Sequence, residues 1–430
     1  MILCHTADWE IGPSGDRLDR ETGLNAAMMD RYRCARFVIE DALERGAQII
    51  LHAGDLWRGA GESAFGCRPT PTQVWLARQA FGPALGRGVP IVIILGNHDA
   101  ARSPAEKHAL DLLHGIEGLT VTDRPEMLWA YQRFWERDPD LSERWFVHAA
   151  RPAESYPGPL LQLALLPYPN AGLLLRDEEA RKLDPGQRNL LVREKMMDCL
   201  RGLAAQRIEG VPCLLLVHAA FDTAEAGKQN SLAMLSAEWT LNLHEVAALG
   251  FDLVLAGHYH RHQTVQESPW IGYCGSPEAT GFGEQDEAKG YIDWQSGPNG
   301  WEGQFIETPY RRLVTLTAED FQVRDDGSTD VECEPIPEGA IVRLEIPAAS
   351  WLTVEDARRA IEAAGAFEAR VIKGRAETQR RRESAVSSEM SAAEALRAWL
   401  ETKPDLHPIA DALVTEAIRV EGALGGGGTT

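Results

Sequence analysis

Short apolar runs that stop abruptly on ligating residue types recur along the chain. Ile2-Leu3-Cys4 leads into Asp8 and Glu10, Gln48-Ile49-Ile50-Leu51 into Gly54-Asp55, and Ile91-Val92-Ile93-Ile94-Leu95 into Gly96-Asn97-His98-Asp99. Leu214-Leu215-Leu216-Val217 ends on His218, and Leu253-Val254-Leu255 ends on Gly257-His258-Tyr259-His260. Continuous apolar runs of about four to six residues suit strands covered on both faces. Between them, Asn25 to Arg45, Thr72 to Arg87 and Asn189 to Gln206 carry helical periodicity. Strand and helix in alternation predict an α/β core with helices outside. Ligands in such folds bind beyond the carboxyl ends of the strands, so five strands delivering Asp, Asn or His to that edge predict a site there.

From about Gly272 to Leu316 the texture changes to short strand-like pieces separated by Gly and Pro, which reads as a β-rich close of the same domain. The acidic stretch Asp325 to Glu338 reads as a linker. Ala340 to Ile346 and Glu368 to Lys373 alternate as strands around a helix at Thr353 to Ala364, a βαβ-like second unit. Ser391 to Leu400 and Pro408 to Glu421 carry helical stripes, with Ala395, Leu396, Trp399 and Leu400 on one and Ile409, Leu413, Ala417, Ile418 and Val420 on the other. Lys403-Pro404-Asp405 makes a turn between them, and a Gly-rich tail follows. Glu126 to Pro167, rich in Trp, Pro and Arg, yields no clear organisation.

Composition narrows the classes. With 43 basic and 64 acidic residues the chain carries a net charge of −21, which argues against gripping nucleic acid by bulk charge alone. A metal site supplies local positive charge and leaves a nuclease possible. The 7 Cys include no C-x-x-C pair and read as thiols in a reducing compartment. No run reaches the ~20 apolar residues of a membrane span, and no signal-peptide pattern opens the chain, so the expectation is a cytoplasmic protein. G-x-x-x-x-G-K-[ST] and G-x-S-x-G are both absent, against a P-loop ATPase and a serine hydrolase.

Asp8 and Glu10, like His258 and His260, stand two residues apart at a strand end, where both side chains of a pair can reach one point. The set mixes carboxylate, amide and imidazole without thiolate, which favours Mn, Fe, Mg or Zn at an oxygen/nitrogen site. One carboxylate can bridge two ions ~4 Å apart, a pair that activates water and clamps a phosphoryl group.

In type and order these blocks resemble the calcineurin-like metallophosphoesterases, with their D-x-H, G-D, G-N-H-[DE], H and G-H-x-H motifs, over roughly residues 1–320. His5-Thr6-Ala7-Asp8-Trp9, Gly54-Asp55-Leu56-Trp57, Leu166-Pro167-Tyr168-Pro169, Tyr273-Cys274-Gly275-Ser276-Pro277-Glu278 and Gly281-Phe282-Gly283-Glu284 are similar to SbcD-type DNA repair nucleases. The resemblance implies a four-layer β-sandwich flanked by helices, two divalent ions with Mn foremost, DNA as substrate, a paired nuclease subunit and an SbcC-like ATPase partner. It divides the chain into a nuclease domain (1–320), a small α+β capping and DNA-contact domain (335–384), a C-terminal helical partner-binding segment (388–422) and a flexible tail (423–430). It places Asp8, Glu10, Asp55 and His260 on the first ion and Asp55, Asn97, His218 and His258 on the second. His98 would contact the scissile phosphate or protonate the leaving oxygen, held by Asp99. The family's D-x-H is Asp8-Trp9-Glu10 here, which adds charge and removes a nitrogen donor.

His52 ends an apolar run and reads as packed, whereas His5 and His262 flank the site. Arg370, Lys373, Arg375, Arg380, Arg381 and Arg382 gather six positive charges against Glu377, and Arg380, Arg381 and Arg382 are the candidate phosphate-backbone contact. Two rival readings share the metal motifs: a phosphoesterase acting on nucleotides or phosphoproteins, and a scaffold whose site Glu10 has altered.

Overall fold

The computed structural model describes residues 1–59, 68–101, 106–133, 144–149, 158–169, 182–225, 239–324, 330–374, 392–401, 403, 406 and 410–425. Within these the chain forms two compact units, one of residues 1–315, 335–343 and 362–369, the other of 316–334, 344–361 and 370–430.

The larger unit is built on two sheets. Strands β1 (Ile2–Thr6), β2 (Ile49–His52), β3 (Ile91–Ile94) and β4 (Leu119–Thr122) run parallel in one sheet. The second contains β5 (Glu126–Arg133), β6 (Arg144–His148), β7 (Leu161–Leu166) and β8 (Cys213–His218). A short parallel pair, β9 (Ala220–Phe221) and β10 (Thr240–Leu241), follows, and β11 (Leu253–Gly257), β12 (Gln263–Glu267) and β13 (Trp270–Tyr273) complete the second sheet in the order β12-β13-β11-β8-β7-β5-β6. Strands β14 (Gly290–Gly297) and β15 (Gly300–Glu307) return antiparallel to close the first sheet as β15-β14-β1-β2-β3-β4.

The uninterrupted apolar runs follow from period-two burial on both faces. Leu3, Ile49, Leu51, Val92 and Ile94 meet Leu163, Leu165, Leu214, Leu216 and Leu255 between the sheets. The intervening Cys4, Ile50, Ile91 and Ile93 face outward to the helices Ala26–Glu44 and Pro71–Gly86. Ala164, Leu215, Val217 and Val254 face the helix Pro185–Ala204 on the other side. Helix, sheet, sheet and helix give the four-layer α/β sandwich. Thr70 and Asp184 form capping boxes with Gln73 and Gln187, each followed by Pro in the first turn, and the second of these starts its helix at Pro185, ahead of the expected Asn189.

The described residues of the stretch Glu126 to Pro167 supply the antiparallel strands β6-β5-β7. Its pattern escaped reading because both faces are apolar: Met127, Trp129 and Tyr131 turn to one core while Leu128 and Ala130 turn to the other.

In the smaller unit, the acidic stretch read as a linker contributes the strand Val331–Cys333, antiparallel to Phe321–Val323. Strands Ile341–Ile346 and Glu368–Lys373 and the helix Val354–Ala363, whose residues are divided between the two units, occupy the expected βαβ-like stretch. Helices Ala392–Glu401 and Ala410–Gly425 pack on each other, burying Leu400 and Val414 while Trp399, Leu413 and Ile418 stay exposed. Arg380, Arg381 and Arg382 lie outside the described residues. No described helix is long and apolar enough to cross a membrane.

Candidate metal centre

The parallel strands of both sheets end at one edge, and the turns leaving β1, β2, β3, β8 and β11 carry Asp8 and Glu10, Asp55, Asn97 and His98, His218, and His258 and His260. Backbone bonds tie these turns together: the Asp8 N–H donates to the Gly54 carbonyl at 2.9 Å and the Glu10 N–H to the Asp55 carbonyl at 3.0 Å. Between them the Trp9 ring anchors the first turn, stacked on Phe81 and edge-on to His52. His52 is accordingly a packed residue, its Nδ1 accepting from the Gly54 N–H.

The motif glycines are there for space. A Cβ on Gly96 would stand 2.1 Å from Asp55 Oδ1, and one on Gly54, itself at φ 95°, 2.5 Å from His218 Nδ1. Among the described residues the non-glycine positions with positive φ are Asp8 (53°), Glu10 (43°), Asp55 (57°) and His258 (110°). All four are predicted ligands, so the strained backbone coincides with the site.

Asp55, His218 and His258 each bring one ligand atom within 4.8 Å of the others. The Asn97 Oδ1 joins them, 3.0 Å from His218 Nε2 and 2.9 Å from His258 Nδ1. His218 Nδ1 is occupied by the Ala53 carbonyl at 2.6 Å, which turns Nε2 toward Asp55 Oδ2 at 3.3 Å and Asn97. With Nδ1 on the Ala53 carbonyl, His218 directs Nε2 at two further oxygen acceptors, a point where a cation can take the place of the Nε2 proton. Burial opposes charge on His218, yet Asp55 and Asp8 carry its pKa up to about 9, a measure of the negative potential gathered here.

Glu10 and His260 form a second group. Glu10 is buried, with Oε1 lacking a hydrogen bond while facing His98 Nε2 at 3.3 Å and His260 Nε2 at 3.7 Å. His260 Nδ1 is held by Glu284 Oε1 at 2.8 Å, so its Nε2 is the atom presented to the site, the carboxylate–imidazole support common behind metal ligands. Burial alone would lower the His260 pKa, but Glu284 and Glu10 raise it to about 9. Asp8 accepts the His258 N–H on both oxygens, at 3.1 and 3.0 Å, and its carboxyl is pushed up by burial. An orphaned buried carboxylate oxygen and imidazole nitrogens converging with carboxylate and amide oxygens fit divalent cations.

His98 donates its backbone N–H to Asp55 Oδ1 at 2.7 Å and places its ring against Glu10. Asp99 does not take the expected part of holding that ring. Its buried carboxylate receives the N–H groups of Leu56, Trp57 and Gly96 at 3.1–3.3 Å, lashing the Asp55 turn to the Asn97 turn. Burial and the nearby Asp55 charge raise its pKa to about 7 despite those bonds.

Three further residues belong to the centre. Arg58 Nη1 pairs with Glu10 Oε2 at 2.6 Å, Lys289 is fully buried between Glu284 and Glu287 at 2.7 and 2.9 Å, and Arg31 is buried with Nη1 on the Gly12 carbonyl. Burial would raise the Glu10 pKa, but His260, His98, Arg58 and Arg31 together hold it below the usual range. Arg58 and Arg31 carry no motif signal; Glu284 stood in a marker motif that assigned it no role. His5 is buried, and His262 bonds the Tyr273 carbonyl and stacks on Phe305, so neither is brought among the ligands.

The model of the calcineurin-like phosphoesterases matches residues 3–262, and the chain belongs to that family, whose members are hydrolases that use divalent metal ions. No curated protein matches the chain. Among solved structures it is similar to a dimetal phosphatase from Danio rerio, at 12% identity and TM-score 0.36, over 71% of this chain and 98% of that one. It is also similar to a phosphopantetheinyl hydrolase from Mycobacterium tuberculosis, at 12% identity and TM-score 0.31, over 64% and 88%. A purple acid phosphatase from yellow lupin matches at 10% identity and TM-score 0.36, over 71% and 52%.

Proposed function

We propose that this phosphoesterase is an SbcD-type nuclease subunit that hydrolyses DNA phosphodiester bonds with two divalent ions, Mn foremost. It would work in the cytoplasm as a paired subunit with an SbcC-like ATPase. The observation that supports this over other members of the family is the position of Glu284. It closes Gly281-Phe282-Gly283-Glu284, one of the SbcD-like segments, and its Oε1 holds the ligand candidate His260.

Asp8, Glu10, Asp55 and His260 would hold one ion and Asp55, Asn97, His218 and His258 the other. Bound there, the ions supply a water ionised near neutral pH and positive charge for the phosphoryl oxygens. Asp55 orients the pair of groups, one oxygen on the His98 N–H and the other toward His218. His98, partly open to solvent and steadied by Glu10, is placed to deliver a proton to the leaving oxygen. Arg380, Arg381 and Arg382 would meet the phosphate backbone.

Digestion of labelled single- and double-stranded DNA with Mn, run beside nitrophenyl phosphodiester and phosphomonoester substrates, tests this. Cleavage of DNA and diester is expected. Turnover of the monoester alone would establish the nucleotide or phosphoprotein phosphoesterase instead, and no turnover the altered scaffold. Replacing Arg380, Arg381 and Arg382 by Ala should flatten the salt dependence of DNA binding by up to about three units of slope. Deleting residues 388–430 should abolish co-purification with the ATPase while sparing the diester.

A further inference from the structure

A second set of ligand-type side chains stands on the 3₁₀ turn Ala109–Leu113, away from the motifs of the family. The sequence His108-Ala109-Leu110-Asp111-Leu112-Leu113-His114 spaces His, Asp and His three residues apart. A 3₁₀ turn has 3.0 residues per turn and eclipses side chains at i and i+3, so these three line one edge. An α-helix would swing the third away, because six residues advance it by one and two-thirds turns. The opposite side of the turn is fastened to the core through Ala109, Leu110 and Leu113. Asp123, just beyond β4, stands beside His108 from the neighbouring strand.

The side chains approach one another more closely than unrelated surface groups and less closely than hydrogen-bonded ones. His108 Nε2 lies 3.6 Å from Asp111 Oδ1 and 3.4 Å from Asp123 Oδ2, and His114 Nε2 lies 3.3 Å from Asp111 Oδ1. Hydrogen bonds to carboxylate would close to about 2.7–2.9 Å. Ligands at about 2.0–2.1 Å from a tetrahedral zinc stand about 3.3–3.4 Å apart, equal to the 3.3 Å edge from His114 and a little under the 3.6 Å edge from His108. One ligand atom from each of His108, Asp111 and His114 falls within 4.8 Å of the others. Asp111 Oδ2 is buried without a hydrogen bond, and the exposed Lys107 Nζ lies 3.6 Å from it. The Ala109 N–H donates to the Asp99 carbonyl at 2.9 Å, so the group is strapped to the loop that carries Asn97 and His98.

We propose that His108, Asp111 and His114 form a separate zinc-type divalent-cation site fastened to the Asn97–Asp99 loop, with Asp123 beside His108. This site is independent of which phosphoester the enzyme cleaves.

The test is cation binding by the metal-stripped full chain, with zinc stoichiometry after desalting and the strong visible absorption of tetrahedral cobalt(II) as readouts. The exposed His114 can be changed without disturbing the core, so His114→Ala is the deciding variant, measured in the wild type and beside Asp55→Asn/His218→Ala, which cripples the main centre. The expected result is loss of one zinc equivalent, or at least a tenfold weaker Kd, in both backgrounds. The tetrahedral cobalt spectrum should disappear and His114→Cys, which restores a ligand, should recover it. Equal stoichiometry and spectra for wild type and His114→Ala would overturn the site and leave an ordinary ion-pair cluster.

Discussion

Arg58 Nη1 lies 2.6 Å from Glu10 Oε2, joining the residue three places beyond Asp55 to the residue two places beyond Asp8. The carboxylate that stands where the family motif has imidazole is thus matched by a cation, and the pair adds no net charge to the centre. Glu10 keeps its second oxygen, Oε1, turned to the site.

Arg58→Met should leave buried Glu10 with only His260, His98 and Arg31 to offset its charge, at a cost of about 2–3 kcal/mol to the metal-free fold. In a Glu10→Gln background the same change should cost less than about 1 kcal/mol. Urea unfolding of the four proteins of that cycle measures the difference; equal costs in both backgrounds would mean the pair contributes nothing. Glu10→His should raise affinity for borderline ions such as Zn and shift the Mn/Mg activity ratio.

Asp55→Asn should abolish hydrolysis and metal retention while the sandwich stays folded, since its carboxylate is shared by the His98 N–H and His218. His98→Ala should keep its metal and lose about 10²–10⁴-fold in kcat. Metal analysis of the two purified variants separates the roles, and loss of metal from His98→Ala would make His98 a ligand.

Glu284→Gln should weaken divalent-ion affinity about 10–100-fold by releasing the His260 ring, with Lys289 still paired to Glu287. Chelator competition reads the change. Unaltered affinity would show that His260 needs no support from Glu284.

Glu278 sets a pH dependence of stability. Burial, and next the charge of Asp30, raise its pKa from the ordinary 4.5 to about 7. The native chain therefore holds a proton that the unfolded chain releases between about pH 4.5 and 7. Unfolding free energy should fall as pH rises through that window, by on the order of 3 kcal/mol at most, and the contribution is fully present below it. In Glu278→Gln the difference between urea midpoints at pH 5 and pH 8 should shrink; an unchanged difference would place the dependence on another group.

Local chemistry was readable where one residue type carries one meaning. The strand-to-ligand junctions at Asp8, Asp55, Asn97, His218 and His258 each combine an apolar run with a turn, and all of them reach the same edge. The strands β5 and β6 were not readable, because residues such as Trp129 and Leu128 serve two cores and cancel the alternation. Arg58 and Lys289 were hidden for another reason: their roles depend on pairing with Glu10 and Glu284, partners 48 residues and 5 residues away in the chain, and pairing leaves no periodic trace. Asp99 illustrates the limit within a motif, where the residue type was legible and its partners, Leu56 and Trp57, were not.

The left-handed backbone at Asp8, Glu10, Asp55 and His258 has an evolutionary consequence. Each such position costs of order 1–3 kcal/mol, and glycine would relieve it. Selection of this chain for heat resistance alone, with hydrolysis unmonitored, should accumulate glycine at Glu10 and His258 first, since Asp tolerates the left-handed region better. The easiest climb in thermal tolerance therefore leads toward inert descendants, and only continued demand for turnover keeps the lineage from taking it.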